Sequence, residues 1–229
     1  MTNFELLLFD ADETLFDFNK AMRVSISRCL NHYGIRCSEN MLKTYDKINI
    51  KYWYLYENGA ISRPQMQKSR FVEFLSQYNL DCDPLEFDRL YIENLAYCPF
   101  LYDGVESLCE DLSKHYRMSI VTNGIAYMQR KRIKSSTIEK HFEHIIISDD
   151  AGAPKPEKGF FDYVFSIYGD VPRTKALIIG DSLAADMKGG SIAGISTCWF
   201  NPGKLKNDLN IKINYEVQSI EQLRKLLLY

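Results

Sequence analysis

Cysteine pairs with the spacing of metal sites or redox motifs are missing from this sequence. The six cysteines, at positions 29, 37, 82, 98, 109 and 198, are scattered without C-x-x-C spacing or neighbouring histidines. This distribution favours reduced, mostly buried thiols in a cytosolic protein, although cysteines alone leave disulfides or a zinc site open. Low-complexity segments, long linkers and internal repeats are also lacking.

The sequence also lacks an excess of charge of either sign, since it has 28 lysines and arginines and 30 aspartates and glutamates. This balance argues against a basic stripe that binds a nucleic acid polymer. Apolar runs stay well short of the roughly 20 residues that span a membrane. An acidic cluster is reached by residue 10 with no basic segment before it, so we expect no secretory signal. We therefore predict a cytoplasmic protein without a membrane partner.

Short apolar runs and amphipathic stretches alternate through most of the chain. The length of 229 residues allows one sizeable core with a smaller insert. Strands are predicted at 4–9, 118–121, 145–147, 176–179 and 196–199, and helices at 104–115, 125–140, 157–168, 183–193 and 221–228. This alternation predicts an α/β fold, a three-layer Rossmann-like parallel sheet with helices on both faces.

Residues 17–98 interrupt that rhythm with a long, mainly helical stretch. Candidate helices cover 17–33, 39–57, 63–77 and 84–96. The stretch is too long for an ordinary connection, so we interpret it as an inserted helical domain. The predicted division is a core of 1–16 with 99–229 and an insert of 17–98. A helical layer packed on the same core is the alternative.

Chemically active side chains follow four of the predicted strands. In chain order they are Asp10, Asp12 and Thr14, then Thr122, Asn123 and Gly124, then Lys155, then Asp181 and Asp186. Sites in parallel sheets lie at the carboxyl ends of the strands, so these groups are expected at one edge. Each has an ordinary interpretation as a turn, a helix cap or a solvated lysine. That all four groups are ordinary, and follow the strands in this order, is much less probable than that any one of them is.

The same series is the motif order of the haloacid dehalogenase-like phosphohydrolase superfamily, which this chain resembles. The first motif, D-x-D-x-T, corresponds to Asp10, Asp12 and Thr14, and the second to Thr122. The third is the lysine before a proline, Lys155, and the fourth, G-D-x-x-x-x-D, covers Gly180, Asp181 and Asp186. Under this resemblance the core is 1–16 with 99–229, and the insert at 17–98 is a type-1 helical cap.

The resemblance implies hydrolysis of a phosphate monoester through an aspartyl-phosphate. Asp10 is then the nucleophile and Asp12 the general acid and base. Thr122, Asn123, Gly124 and Lys155 bind the phosphate. The oxygen-rich ligand set, with no histidine or cysteine, selects Mg²⁺. By resemblance, Mg²⁺ is held by the Asp10 and Asp181 side chains and the Asp12 backbone carbonyl, and Asp186 acts through water or by orienting its neighbours.

A narrower resemblance concerns the substrate. The stretches FDADETLF, NIKYWYLYENGAISRPQMQKSRF and GGSIAGISTCWFNPG look like those of bacterial pyrimidine 5′-nucleotidases. This implies a small phosphate ester, a nucleoside 5′-monophosphate, as the partner. In the middle stretch Trp53, Tyr54 and Tyr56 could stack on a base, but their helical spacing favours packing within the cap.

Four other activities remain open from the sequence. A sugar-phosphate phosphatase or a phosphomutase would share every core motif. A haloacid dehalogenase would need neither Mg²⁺ nor an acid at Asp12, and a non-catalytic phosphate-binding protein would normally have lost one of these groups. The oligomeric state is open as well.

Overall fold

A parallel sheet forms the centre of the computed structural model, which describes residues 3–229. Within these residues the sheet has six strands: β1 Leu6–Phe9, β2 Arg117–Thr122, β3 His144–Ile147, β4 Ala176–Gly180, β5 Ser196–Phe200 and β6 Tyr215–Val217. All neighbouring strands pair in parallel, in the order β3-β2-β1-β4-β5-β6. The α/β fold with a Rossmann-like parallel sheet is confirmed, and β6 is an additional edge strand.

Helices connect the strands and also form a separate unit. The α-helices of the described chain are α1 Phe18–His32, α2 Glu39–Glu57, α3 Arg63–Gln77, α4 Pro84–Ala96, α5 Val105–Leu112, α6 Ala126–Lys134, α7 Ser148–Ala151, α8 Lys158–Ile167, α9 Lys188–Ala193 and α10 Ile220–Leu228. The chain divides into two compact units, one of residues 1–17 with 100–229 and one of residues 18–99. We call the first the sheet unit and the second the helical unit.

Alternate residues of β1 point into two different layers of the sheet unit. Leu7 and Phe9 share a buried cluster with residues of α5 and α10, whereas Leu6 and Leu8 share another with residues of α8. A strand buried on both faces must be apolar throughout, which explains the continuous run before Asp10. The three predicted layers are therefore present.

Two predicted helices of the sheet unit differ more than the others from their expected bounds. The stretch predicted as a helix over 125–140 ends at Lys134 and is followed by a separate 3₁₀ turn, Glu139–His141. The stretch predicted over 183–193 begins with a π-helical turn, Leu183–Met187, before α9. In that turn the Ser182 hydroxyl accepts a hydrogen bond from the Ala185 backbone at 3.1 Å. Single π-helical turns are frequent at functional sites.

Side-chain caps set the starts of the helices in the helical unit. Ser38, Ser62 and Asp83 each accept hydrogen bonds from backbone N–H groups of the first turn of α2, α3 and α4. Such caps satisfy donors that the helix cannot pair internally. The three helices cover 39–57, 63–77 and 84–96 as predicted.

Aromatic rings fill the interior of the helical unit. Buried around Tyr45 are the rings of Phe71, Phe74 and Tyr91, and Phe87 packs against Phe71, at ring distances typical of aromatic side chains. The expectation that Tyr54 belongs to this interior is wrong, because its side chain is 62% exposed.

A buried ion pair crosses the same interior. Arg70, on α3, donates from Nη2 to Asp88 Oδ1 at 2.7 Å and from Nη1 to Asn49 Oδ1 at 3.1 Å. The guanidinium also lies over the rings of Phe71 and Tyr91. Removing one partner of such a pair leaves a buried charge without compensation, whereas removing both does not.

We expect Asp88→Leu to lower the free energy of unfolding of the helical unit by about 3–5 kcal/mol, because it leaves Arg70 buried and uncompensated. The double variant Arg70→Met/Asp88→Leu should lose less. Urea denaturation measures both, and Lys68→Met, on the exposed side of α3, is the matched control. A double variant that loses as much as Asp88→Leu, or more, would contradict the expectation.

The six cysteines are free thiols, and those at positions 29, 98, 109 and 198 are buried. A helix long and apolar enough to cross a membrane is not found among residues 3–229.

Candidate active site

The register of the sheet brings the predicted motifs to one edge. Phe9, the last residue of β1, pairs with Ile120 of β2 and Ile179 of β4. The Asp10 backbone N–H then donates to the Ile179 carbonyl at 2.8 Å. Residues that follow β1, β2 and β4 therefore emerge side by side at the carboxyl ends of the strands, the usual location of ligand sites in such sheets.

Lys155 links two of the predicted carboxylates. Its Nζ donates to Asp10 Oδ1 at 2.6 Å, to Asp186 Oδ1 at 2.6 Å and to the Val121 carbonyl at 2.8 Å. The side chain is 1% exposed, so all three ammonium protons are bound within the protein. Burial disfavours the charged lysine, but attraction by Asp10 and Asp186 outweighs it and raises the pKa of Lys155.

Asp10 is a buried carboxylate at the end of a rigid strand. Burial raises its pKa, the positive charge of Lys155 lowers it, and repulsion by Asp186 and Asp12 raises it again. The net shift is upward from the ordinary value of 3.8. A cation beside Asp10 would reverse this shift by stabilising the charged form.

Asp186 is fixed by the turn that carries it. Its Oδ2 accepts from the Ser182 backbone N–H at 3.1 Å, while its Oδ1 accepts from Lys155. Gly180 makes room for this arrangement, because a Cβ added there would lie 2.2 Å from Asp186 Oδ2. A glycine is thus required before Asp181, because the Asp186 carboxylate lies close to the Gly180 backbone.

The carboxylates offer an oxygen ligand set to a cation. Atoms of Asp10, Asp181 and Asp186 lie within 4.8 Å of one another. Three hard oxygen donors without nitrogen or sulfur fit Mg²⁺ and not zinc. The Trp199 indole near the end of β5 donates to the Asp181 carbonyl at 2.8 Å and so anchors the loop that carries Asp181.

Asp12 has partners different from those of Asp10. Gln129 Nε2 donates to its Oδ2 at 2.7 Å, and Arg132 Nη2 forms an ion pair with its Oδ1. Gln129 and Arg132 both lie on α6, the helix that follows β2. Both oxygens of the Asp12 carboxylate are therefore held from one helix.

The predicted phosphate-binding residues after β2 divide into two roles. The Thr122 hydroxyl oxygen accepts from the Gly124 N–H and from Gln129 Nε2, each at 3.0 Å. The Asn123 side chain donates to the Lys155 carbonyl at 2.9 Å and accepts from the Lys155 N–H at 2.8 Å. Asn123 thus fixes the backbone of the loop that carries Lys155.

Sequence reasoning missed Gln129, Arg132 and Trp199. Gln129 and Arg132 are three residues apart, hence neighbours on one face of α6, directly after the Thr122 motif. Polar residues on a buried helix face at this spacing are the signal that could have found them. Trp199 gives no comparable signal, because a tryptophan at the end of a buried strand is indistinguishable from core.

Known proteins are similar to this chain in sequence and in fold. The profile of a family described as haloacid dehalogenase-like hydrolase matches residues 7–200. HAD-hydrolase YfnB of Bacillus subtilis is 34% identical over 99% of this chain and 97% of its own. A crystal structure of YfnB bound to magnesium superposes with a TM-score of 0.95 and covers 100% of both chains.

Two further relatives carry the name pyrimidine 5′-nucleotidase, a class of phosphoric monoester hydrolase. YjjG of Escherichia coli is 30% identical over 96% of this chain and 96% of its own. PynA of Streptococcus pneumoniae is 31% identical over 96% of this chain and 93% of its own.

The raised pKa of Asp10 predicts pH-dependent Mg²⁺ binding. An acid with a raised pKa keeps its proton to a higher pH, and a metal ion must displace that proton. We expect Mg²⁺ affinity to fall as the pH is lowered, starting well above 3.8, with a proton released on binding. Isothermal titration calorimetry in two buffers of different ionisation enthalpy counts these protons.

Asp10→Asn is the control for this titration, because its amide has no proton to release in this range. A pH-independent affinity in the unsubstituted protein, with no proton released, would contradict the expectation.

Proposed function

Since this chain belongs to the haloacid dehalogenase-like hydrolase family, we propose that it hydrolyses phosphate monoesters through an aspartyl-phosphate on Asp10. The observation that carries the proposal is the convergence of Asp10, Lys155, Asp181 and Asp186 at one sheet edge. Such a set of charges matches a dianionic phosphate and a divalent cation. Without those ligands, bringing three carboxylates so close together is unfavourable.

The proposed metal is Mg²⁺, with Asp10 and Asp181 as side-chain ligands and the Asp12 backbone carbonyl as a third. Asp186 is proposed to act through a water molecule or by orienting its neighbours, in keeping with its bonds to Lys155 and Ser182. Bound Mg²⁺ would neutralise negative charge on the phosphate and on the carboxylates around it.

Asp10 is the proposed nucleophile of the first step. Lys155 is bonded to its Oδ1, and no donor among residues 3–229 is bonded to its Oδ2, which leaves Oδ2 for attack on phosphorus. The new Asp10 O–P bond forms as the ester P–O bond breaks. In this scheme Asp12 enters the step protonated and gives that proton to the departing alkoxide oxygen, so the alcohol leaves neutral and Asp12 becomes a carboxylate.

Water completes the reaction in the second step. Asp12, now a carboxylate, accepts a proton from the water molecule that attacks phosphorus. The Asp10 O–P bond breaks, inorganic phosphate leaves, and both aspartates return to their starting states. The carboxylate nucleophile thus replaces one difficult displacement by two easier ones.

Lys155 and Thr122 are proposed to stabilise charge on the phosphoryl oxygens during both steps. Lys155 is proposed to act through its positive charge, which three hydrogen bonds and the Asn123 side chain hold in place. A fixed charge near the site where negative charge develops contributes strongly to catalysis. Backbone N–H groups at Asn123 and Gly124 are the proposed additional donors.

The proposed substrates are nucleoside 5′-monophosphates, pyrimidine nucleotides in particular. Support comes from YjjG and PynA, which are called pyrimidine 5′-nucleotidases and match almost the whole chain. The helical unit is proposed as the cap that selects the ester. A small molecule in the cytoplasm is therefore the expected partner.

Asp10→Asn should lower kcat by at least about 10³-fold, because an amide cannot form the acyl-phosphate. The measurement is phosphate release with Mg²⁺ present, alongside a thermal unfolding curve that checks the fold. Asp208→Asn, which changes an exposed aspartate of the same unit, is the control. Substantial turnover by folded Asp10→Asn would falsify the nucleophile assignment.

A panel of phosphate esters identifies the substrate class. We expect nucleoside monophosphates to give the highest kcat/KM, and EDTA to abolish turnover until Mg²⁺ is restored. A preference for sugar phosphates would indicate a sugar-phosphate phosphatase, and isomer interconversion with a bisphosphate activator a phosphomutase. Halide release from a 2-haloacid in EDTA would indicate a dehalogenase. Absence of turnover on the whole panel would contradict the proposed function.

A further inference from the structure

Two polar side chains on α6 are fully buried beneath the strand ends. Gln129 and Arg132 are both 0% exposed. Burial of a guanidinium is costly unless it is paired, so this position needs a reason beyond packing. Nε and Nη1 of Arg132 have no hydrogen-bond partner within the described chain, which leaves the ion pair and the ring of Phe16, 4.8 Å away, as its main compensation.

The side-chain hydrogen bonds of this pair run within the pair or lead to motif residues. Arg132 Nη2 is paired with Asp12 Oδ1 and also donates to Gln129 Oε1 at 2.8 Å. Gln129 Nε2 donates to Asp12 Oδ2 at 2.7 Å and to Thr122 Oγ1 at 3.0 Å. One helix therefore fixes both oxygens of the Asp12 carboxylate and connects it to Thr122.

The turn after β2 has a glycine, Gly124, where the Gln129 side chain passes close to the backbone. A Cβ added to Gly124 would lie 2.3 Å from Gln129 Nε2 and 2.6 Å from its Cγ. A real Cβ does not tolerate such distances, so any larger residue at this position would displace the glutamine. The glycine thus provides independent evidence that the path of Gln129 is built into the site.

The same contacts determine the direction of the Thr122 hydroxyl proton. The hydroxyl oxygen accepts two N–H groups, from Gly124 and Gln129. A hydroxyl has one proton and two acceptor positions, so Thr122 can use its own proton only as a donor to a further group. A phosphoryl oxygen is such a group.

We propose that Gln129 and Arg132 are positioning residues for proton transfer and phosphate binding. Arg132 and Gln129 hold the Asp12 carboxylate in one orientation, and Gln129 turns the Thr122 hydroxyl into a donor. This inference rests on the proposed function, because it assigns Asp12 and Thr122 the roles described above. Neither Gln129 nor Arg132 touches the reacting atoms in this scheme.

Two substrates with different leaving groups distinguish a variant that misplaces Asp12 from one that only weakens the fold. A nucleoside alkoxide needs a proton from Asp12 to depart, whereas p-nitrophenolate is a stable anion and hardly needs one. The ratio kcat/KM reports the steps up to formation of the aspartyl-phosphate, before the water step that both substrates share. A loss confined to the nucleotide therefore reports proton donation.

Arg132→Met should lower kcat/KM for uridine 5′-monophosphate by about 10²-fold and that for p-nitrophenyl phosphate by less than about 10-fold. Arg132→Lys should recover part of the loss, since its ammonium can still donate a hydrogen bond to Asp12 and hold the carboxylate in place. Lys134→Met removes the same charge from an exposed position of α6 and should change neither value.

Gln129→Leu is the second variant and has its own measurement. We expect inorganic phosphate, the product, to inhibit this variant about 10-fold more weakly, because Thr122 is no longer held as a donor. The variant should also show the leaving-group difference, since one oxygen of Asp12 is released. It keeps the inference testable if Arg132→Met does not fold.

Equal losses on both substrates, in variants whose melting temperatures match the unsubstituted protein, would overturn the inference while leaving the proposed function intact. Unchanged kinetics in folded variants would do the same. If the unsubstituted protein with Mg²⁺ hydrolyses neither substrate, the proposed function fails and this inference fails with it.

Discussion

The ion pairs of Lys155 with Asp10 and Asp186 are the interaction on which the rest of the site depends. One buried ammonium satisfies a carboxylate after β1, a carboxylate before α9 and the carbonyl of Val121 in β2. Asn123 fixes the lysine backbone from β2, and Gly180 leaves the room that Asp186 requires. Loss of the ammonium would leave two buried carboxylates facing each other, so the strand ends and the loops between them form one electrostatic unit.

A second buried cation, Arg132, places the two aspartates of the motif after β1 in different surroundings. Asp10 and Asp12 are two residues apart, yet Asp10 faces Lys155 and Asp12 faces Arg132. Similar acids in different surroundings can perform different roles, because the surroundings decide which oxygen is free and which is held. Within the part of the chain that the structure describes, Asp10 keeps one oxygen without a hydrogen-bond donor, whereas both oxygens of Asp12 are bonded to α6. This difference supports one nucleophile and one proton carrier in the same short motif.

Much of this architecture could be predicted because its determinants are local in the sequence. Apolar runs predicted β1 to β5, and a mainly helical stretch predicted α2 to α4. The haloacid dehalogenase-like family predicted from the motifs is confirmed by the comparisons. The strand β6 escaped prediction because its three residues, Tyr215–Val217, form no apolar run. Gln129 and Arg132 escaped because their importance comes from contacts with Asp12, more than a hundred positions away. The site roles and the cap function of residues 17–98 stay predictions.

The position of α6 explains how one short segment serves both the fold and the proposed chemistry. Its apolar residue Ile133 packs in the cluster that contains Leu7 and Phe9, which anchors the helix beneath β1. Gln129 and Arg132 extend from this anchored backbone. The donor atoms that bind Asp12 are therefore held in place by the packing of the core. A site built on packed elements holds its geometry more closely than one built on loops alone. Burial of an arginine, unfavourable for stability, becomes understandable as the consequence of orienting a carboxylate from inside the protein and not from solvent.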